Sequence, residues 1–225
     1  MCGIAGAAWV RAESAVTPDM LRRMTDAIRH RGPDDEGQYF ARLEQAPYPG
    51  AIAGCGLGHR RLSIIDLSGG KQPLSNEDGS IWVSFNGEIY NYPTLRRRLQ
   101  GSGHTMRTNS DTEVLVHLYE DEGVNCLQHL NGMFALAIWQ PEQRRLVLAR
   151  DRMGIKPLYL HESGRDLYFA SELKALFECQ EVPRRLDLTA LDYYLGLNFV
   201  PQPHTLASGI TKLAPGEYLE WREGR

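Results

Sequence analysis

The chain has 225 residues, enough to bury a substantial core as one large domain or two small ones. With 42% hydrophobic and 24% charged residues it has the composition of an ordinary globular protein. A net charge of −3 gives no electrostatic case for a nucleic acid or a membrane surface as partner.

The first two residues carry the first chemical signal. Removal of Met1 leaves Cys2 with both a thiol and a free α-amine, a nucleophile that carries its own base. Taken alone, a cysteine near a start is better read as a small buried hydrophobe. Ile4 to Val10 is small and apolar and reads as a buried strand that would hold the terminus in the core. Thr17-Pro18 starts a helix, cap followed by proline, with Leu21, Met24 and Ile28 at helical spacing and an end near His30, before Gly32-Pro33. Ala51 to Ile65 contains a strand running into the Arg61 segment, and Ile81 to Phe85 alternates as a strand that delivers Asn86 at its end. Tyr92 to Leu99 is helical, its Arg96-Arg97-Arg98 triplet a solvated face. Ser110-x-x-Glu113 reads as a capping box opening the helix of Val114, Leu115, Leu118 and Tyr119. Met133 to Trp139 is a continuous apolar run, a strand buried on both faces that pairs with Leu146 to Ala149 across a Pro141 turn. Strands near Leu158 and Leu167 and helices near Glu172 and Leu188 follow, and beyond Leu197 the prolines and glycines suggest an extended exit segment. The pattern is α+β with mainly antiparallel sheets.

Cys2, Cys55, Cys126 and Cys179 are scattered, with no pair at zinc-ligand or redox spacing, so no metal is expected and the thiols should stay reduced in a cytoplasm. No charged leader with an apolar core precedes Cys2, and no run approaches the ~18 apolar residues of a membrane span. Ser68-Gly69-Gly70-Lys71 lacks P-loop spacing and reads as a turn. Asn86-Gly87 is open to two readings, a turn signal or an oxyanion site. Asp111 is also open to two, because an acidic residue in a first helical turn is favourable without any ligand.

His30-Arg31-Gly32-Pro33-Asp34, His59 to Asp66, Asn86-Gly87-Glu88-Ile89-Tyr90-Asn91 and Ser110-Asp111-Thr112-Glu113 follow Cys2 in that order. Together they resemble the class II glutamine amidotransferase domain, an N-terminal-nucleophile hydrolase, and among its branches the glutaminase half of glutamine-hydrolysing asparagine synthetases. The resemblance implies a four-layer αββα sandwich, with a glutaminase domain over 2–218 and residues 219–225 starting a linker toward an absent synthetase domain. It implies Cys2 as nucleophile and, through its α-amine, as proton carrier, with Asn86 and Gly87 as oxyanion donors. Arg61 would take the substrate α-carboxylate, Leu62, Ser63, Ile64 and Ile65 would wall the pocket, and Glu88 and Asp111 would receive the α-ammonium. Arg31 would support the loop beside Cys2, and neither His30 nor His59 would act as base. The implied partners are L-glutamine and a synthetase domain or subunit; ATP and magnesium would be needed only there, and this chain would need no cofactor. A homodimer is left open. An amidotransferase serving another acceptor and a non-catalytic interaction domain of the same fold are the competing readings.

Overall fold

The computed structural model of the chain describes residues 1–11, 15–42, 53–63 and 69–224. Strand β1 (Gly3–Trp9) is buried along its whole length. Its Ile4 and Ala8 face one apolar layer, and Ala5, Ala7 and Trp9 face another, as a period of two requires. It pairs antiparallel with β3 (Gly54–Arg61) on one side and β9 (Asp166–Ala170) on the other. The edges of this six-stranded sheet are β2 (Asp35–Arg42), beyond β3, and β8 (Tyr159–Ser163) with β10 (Thr211–Lys212), beyond β9. A second sheet has five strands in the order β11 (Tyr218–Arg222), β7 (Arg145–Arg150), β6 (Gly132–Gln140), β5 (Trp82–Ile89) and β4 (Leu74–Ser75), all neighbours antiparallel.

The two sheets pack face to face. Between them lie Ile4, Ala8, Leu57 and Phe169 from the first and Ala135, Ala137, Trp139 and Leu148 from the second, small residues alternating with large so that the faces interdigitate. Outside the first sheet, Leu21 and Met24 of α1 (Pro18–Ala27) and Ala175 and Leu176 of α4 (Leu173–Leu176) close a second layer. Outside the second sheet, Leu95 and Leu99 of α2 (Tyr92–Gly101) and Val114, Leu115 and Leu118 of α3 (Asp111–Glu122) close a third. The expected four-layer αββα sandwich is the observed one. No helix among the described residues is long and apolar enough to cross a membrane.

Several expectations need correction. Thr17 caps α1 through a 3.1 Å bond from the Met20 N–H, as its sequence suggests, but the reciprocal box at α3 does not close. Ser110 Oγ accepts from the Thr112 N–H at 3.2 Å, while Glu113 reaches back past Ser110 to the N–H groups of Arg107 and Thr108, each 2.7 Å away. Asn86 lies inside β5 rather than at its end. The segment after α5 (Leu188–Leu197) does not leave the domain: it returns to edge the first sheet as β10 and the second as β11. The expected linker boundary at 218/219 falls inside β11, whose Trp221 is buried and donates to the Arg165 carbonyl at 2.9 Å. Strands β2, β4, β10 and β11 were not foreseen; three of them are short or rich in polar residues, and pairing rather than local preference sets them.

Candidate active site

The open edge of β5 builds the site. Phe134 of β6 stands opposite Gly87, yet its N–H donates to the Asp151 carboxylate at 3.1 Å and its carbonyl accepts from the Asp151 N–H at 2.8 Å. Gly87 and Phe134 are therefore a non-hydrogen-bonded pair, and the Gly87 N–H points away from β6. The N–H groups of Phe85 and Ile89 share that direction, and each is capped by a side chain. Gln72 Oε1 accepts from Phe85 at 2.6 Å, and Asp111 Oδ2 accepts from Ile89 at 3.0 Å. Between them the Gly87 N–H is left for a ligand. Gly87 is needed for a close approach and not for an unusual φ: a Cβ there would lie 2.3 Å from the Met133 carbonyl oxygen and 2.7 Å from Phe134 Cβ.

Beside this donor lies Asn86, 1% exposed, with neither Nδ2 nor Oδ1 hydrogen-bonded. A buried amide with both ends unpaired is costly and calls for a reason. The reason offered by position is a cavity of 120 Å³ that Asn86, Gly87 and Glu88 line with Cys2, Arg61, Leu62, Asp111 and Lys156. That volume is well below the ~300–1,000 Å³ of sites for drug-sized ligands, so an amino acid suits it better than a nucleotide.

Cys2 Sγ sits 3.4 Å from the Leu62 N–H, which donates to it, and 3.7 Å from the Leu62 carbonyl. Burial pushes the thiol up from its ordinary pKa, with the Leu62 N–H opposing, so sulfur at neutral pH is protonated and needs a base. Arg31 Nε donates to the Cys2 carbonyl at 2.9 Å and Arg31 Nη1 to Glu172 at 3.0 Å, a brace on the backbone of the nucleophile from outside the cavity. His59 is buried with Nε2 on the Phe85 carbonyl at 3.0 Å, and burial pushes its pKa down to about 4, so it is a neutral structural group. His30 is exposed and bonds Glu172 at 2.9 Å. Neither histidine is placed as a base.

Arg61 is buried on the cavity wall, with Gly70 against its guanidinium: a Cβ at Gly70 would lie 2.8 Å from Nη2. Burial pushes the Asp111 carboxyl up, partly offset by the Ile89 N–H and other backbone donors, so an incoming cation would be welcome there. Ser63 is not brought in. Its N–H donates to Asp34 Oδ2 at 2.8 Å and it does not line the cavity. Ile64 and Ile65 lie outside the described residues, as does Ser68.

The cavity also holds residues that sequence reasoning missed. Gln72 caps Phe85 and holds Thr112 Oγ1 at 3.2 Å. Lys156, 4% exposed, aims Nζ at Met1 Sδ, 3.2 Å away, and its pKa is pushed down, by burial first and by Arg31 second. No local pattern marks either. Lys156 is delivered by the turn that Asp151 organises, a long-range consequence of β7 ending where it does. A larger cleft of 290 Å³ lies elsewhere, lined by Val124, Leu127, Arg150 and Arg152 among others. Its two arginines are committed to carbonyl oxygens of Lys156, Leu213, Gly154, Leu130 and Gln128, and no cysteine, histidine or lysine lines it.

A family model of the glutamine amidotransferase domain matches residues 1–225. Among curated proteins, asparagine synthetase [glutamine-hydrolyzing] 1 of Bacillus subtilis is 41% identical over 224 residues, 99% of this chain and 34% of its own length. Asparagine synthetase [glutamine-hydrolyzing] 2 of the same organism is 45% identical over 189 residues, covering 83% of this chain and 24% of its own length. The chain thus spans about a third or less of these relatives. Among solved structures, the glutamine phosphoribosylpyrophosphate amidotransferase of B. subtilis superposes with a TM-score of 0.63 at 25% identity, over 79% of this chain and 43% of that one.

Proposed function

The chain belongs to the glutamine amidotransferase domain family, and on that premise we propose that it hydrolyses L-glutamine to glutamate and ammonia through a thioester on Cys2. Asn86 carries the reading: an unpaired buried amide beside the uncommitted Gly87 N–H, in one small cavity with a thiol. With Met1 removed, the α-amine of Cys2 takes the thiol proton, and Sγ attacks the side-chain amide carbon of glutamine. Asn86 Nδ2 and the Gly87 N–H donate to the oxyanion of the tetrahedral adduct, preorganised because β5 already holds them. The adduct collapses to the thioester, and the proton held on the α-amine leaves with ammonia. Water then attacks the thioester, the α-amine relaying its proton, and glutamate departs with the thiol restored. Arg61 takes the α-carboxylate, to which a planar guanidinium is suited, and Glu88 with Asp111 takes the α-ammonium.

The ammonia is destined for ATP-dependent asparagine formation by a synthetase unit, the kind of protein that the relatives are named as. We assign the docking of that unit to α5 and its flank, where Leu188, Leu195, Leu197 and Phe199 are 74%, 72%, 51% and 59% exposed. A patch of this kind marks a partner, and the share of the relatives that lies beyond this chain supplies one. Four cysteines without disulfides suit a cytoplasmic location.

The test is to incubate the protein with L-glutamine, alone and with aspartate, ATP and magnesium. Glutamate and ammonia should form in both, without asparagine or pyrophosphate, and Cys2→Ala should abolish turnover while circular dichroism stays unchanged. Turnover in Cys2→Ala would remove the thioester from the account.

A further inference from the structure

Beside α3, far in sequence from Cys2, two imidazoles and a carboxylate converge. The segment leading from α2 to α3 lays His104 against His117, with ring centroids 4.7 Å apart and planes tilted by 44°. His117 and Glu120 are three residues apart on α3 and so share a face, and His117 Nδ1 lies 3.3 Å from Glu120 Oε2. One donor atom each from His104, His117 and Glu120 falls within 4.8 Å of the others.

We propose that His104, His117 and Glu120 form a binding site for a divalent transition-metal ion of the zinc type, separate from the glutaminase machinery. The donor set decides the class. Two neutral imidazoles and a carboxylate suit zinc, whereas magnesium and calcium take oxygen ligands. Spacing agrees with it: donors at ~2.0–2.1 Å around a tetrahedral ion stand roughly 3.3 Å apart. The His117–Glu120 pair already stands so. The third donor, His104, lies on the segment before α3 and needs only a small inward shift.

The surroundings are those of a held site. His117 is 1% exposed. Asp121 Oδ1 is 3.0 Å from His104 Nε2, and a carboxylate on a ring nitrogen is how ligating histidines are oriented and made more basic. The buried Asn76 donates Nδ2 to Glu120 Oε1 at 3.3 Å, fixing the carboxylate from behind. Glu77 and Glu113 lie 3.9 and 4.0 Å from His117 Nε2, adding negative potential around the position of a cation. Of these, Glu113 is already occupied by the Arg107 and Thr108 N–H groups and the Thr108 hydroxyl, so it stays outside the ligand set. An ion there would clip the segment before α3 onto the helix whose first turn carries Ser110, Asp111 and Thr112 into the glutamine cavity. Its expected effect is stabilisation of that wall, with no part in the chemistry.

Metal-stripped protein should be titrated with zinc by calorimetry and thermal melting, with magnesium as control, in a Cys2→Ala background so that the reactive thiol does not compete. The expected result is one equivalent of zinc bound with a rise in Tm, none with magnesium, and a cobalt derivative whose visible bands report tetrahedral coordination. His104→Gln, at the more accessible of the two histidines, should weaken zinc roughly a hundredfold or more, given that even outer-shell partners cost 10–100-fold. On the Cys2-containing chain the same His104→Gln change should leave glutaminase turnover intact, which certifies its fold. Absence of zinc binding, or binding unchanged by His104→Gln, would overturn the site and leave an imidazole–carboxylate cluster.

Discussion

Two buried polar clusters lie side by side along β5, β6 and β7, and they are built on opposite rules. Around Asp151 everything is satisfied. Its carboxylate, 1% exposed, accepts from the N–H groups of Phe134, Met153, Ile155 and Lys156 at 2.9 to 3.1 Å. Arg150 next to it donates to the carbonyls of Lys156, Leu213 and Gly154 and to the Gln202 side chain. One strand away, at Asn86 and Gly87, the amide and the backbone donor are left without partners. The first cluster fixes where β6 begins, where β7 ends and how the Lys156 turn returns; the second turns its donors to the cavity, because the register pairs Gly87 with Phe134 without a hydrogen bond between them. Saturation marks structure, and a buried amide with both ends unpaired beside a cavity marks a candidate ligand site.

Breaking the saturated cluster should have the largest effect. Asp151→Ala strips the acceptor from four N–H groups, and we expect a loss of about 3–5 kcal/mol in urea unfolding, in the range for breaking a buried charged network. A loss under ~1 kcal/mol would mean that water or other carbonyls replace it, and that the contrast is weaker than drawn.

Asn86→Ala should do the reverse. It deletes two unpaired polar atoms and should leave stability unchanged or improved, while kcat falls by roughly 10²–10³, about 2.7–4 kcal/mol of transition-state stabilisation, with little change in KM. Unchanged kcat would make Asn86 a packing residue.

His59, held on the Phe85 carbonyl of β5, sharpens the comparison by pH. Its pKa in the fold, about 4, is below the 6.5 of an exposed imidazole, so the unfolded chain binds the extra proton first. Stability contributed by the neutral ring is therefore present above pH 6.5 and lost as pH falls toward 4, by ~2–3 kcal/mol at pH 4.5. Unfolding of the protein and of His59→Gln, followed from pH 7 to 4.5, should diverge by that amount; parallel curves would assign the acid sensitivity elsewhere.

The smallest of these effects is expected at Arg61. Arg61→Lys should raise KM for glutamine about tenfold, ~1.4 kcal/mol, with kcat nearly kept, because a point charge cannot grip a carboxylate with two parallel bonds. Steady-state kinetics reads it directly, and an unchanged KM would place the carboxylate on another cation.

Much of this was legible in the chain. The strands through Ile4 and through Met133 to Trp139, the Thr17-Pro18 helix start and the α+β class all follow from local pattern, because each segment alone buries the face its period creates. Cys2, Arg61, Leu62, Asn86, Gly87, Glu88 and Asp111 were named from motifs, and the fold brings them to one cavity. What local pattern could not give is set by distant partners. Asn86 looked like a strand end because Asn-Gly is a turn signal, whereas pairing with Ala135 and Phe134 carries the strand through it. Lys156 and Gln72 enter the cavity through tertiary bonds, and Ser63 is turned out of it by Asp34. The Ser110 box failed because Glu113 found two better-placed donors upstream.

The central claim is that the α-amine of Cys2 is the base of its own thiol, and Met1 blocks it. Preparations with differing fractions of Met1 removed, measured by intact mass, should release glutamate from L-glutamine in proportion to the fraction beginning at Cys2, with turnover extrapolating to zero for the unprocessed chain. Turnover independent of that fraction would contradict the account and send the search for the base to another group in the cavity.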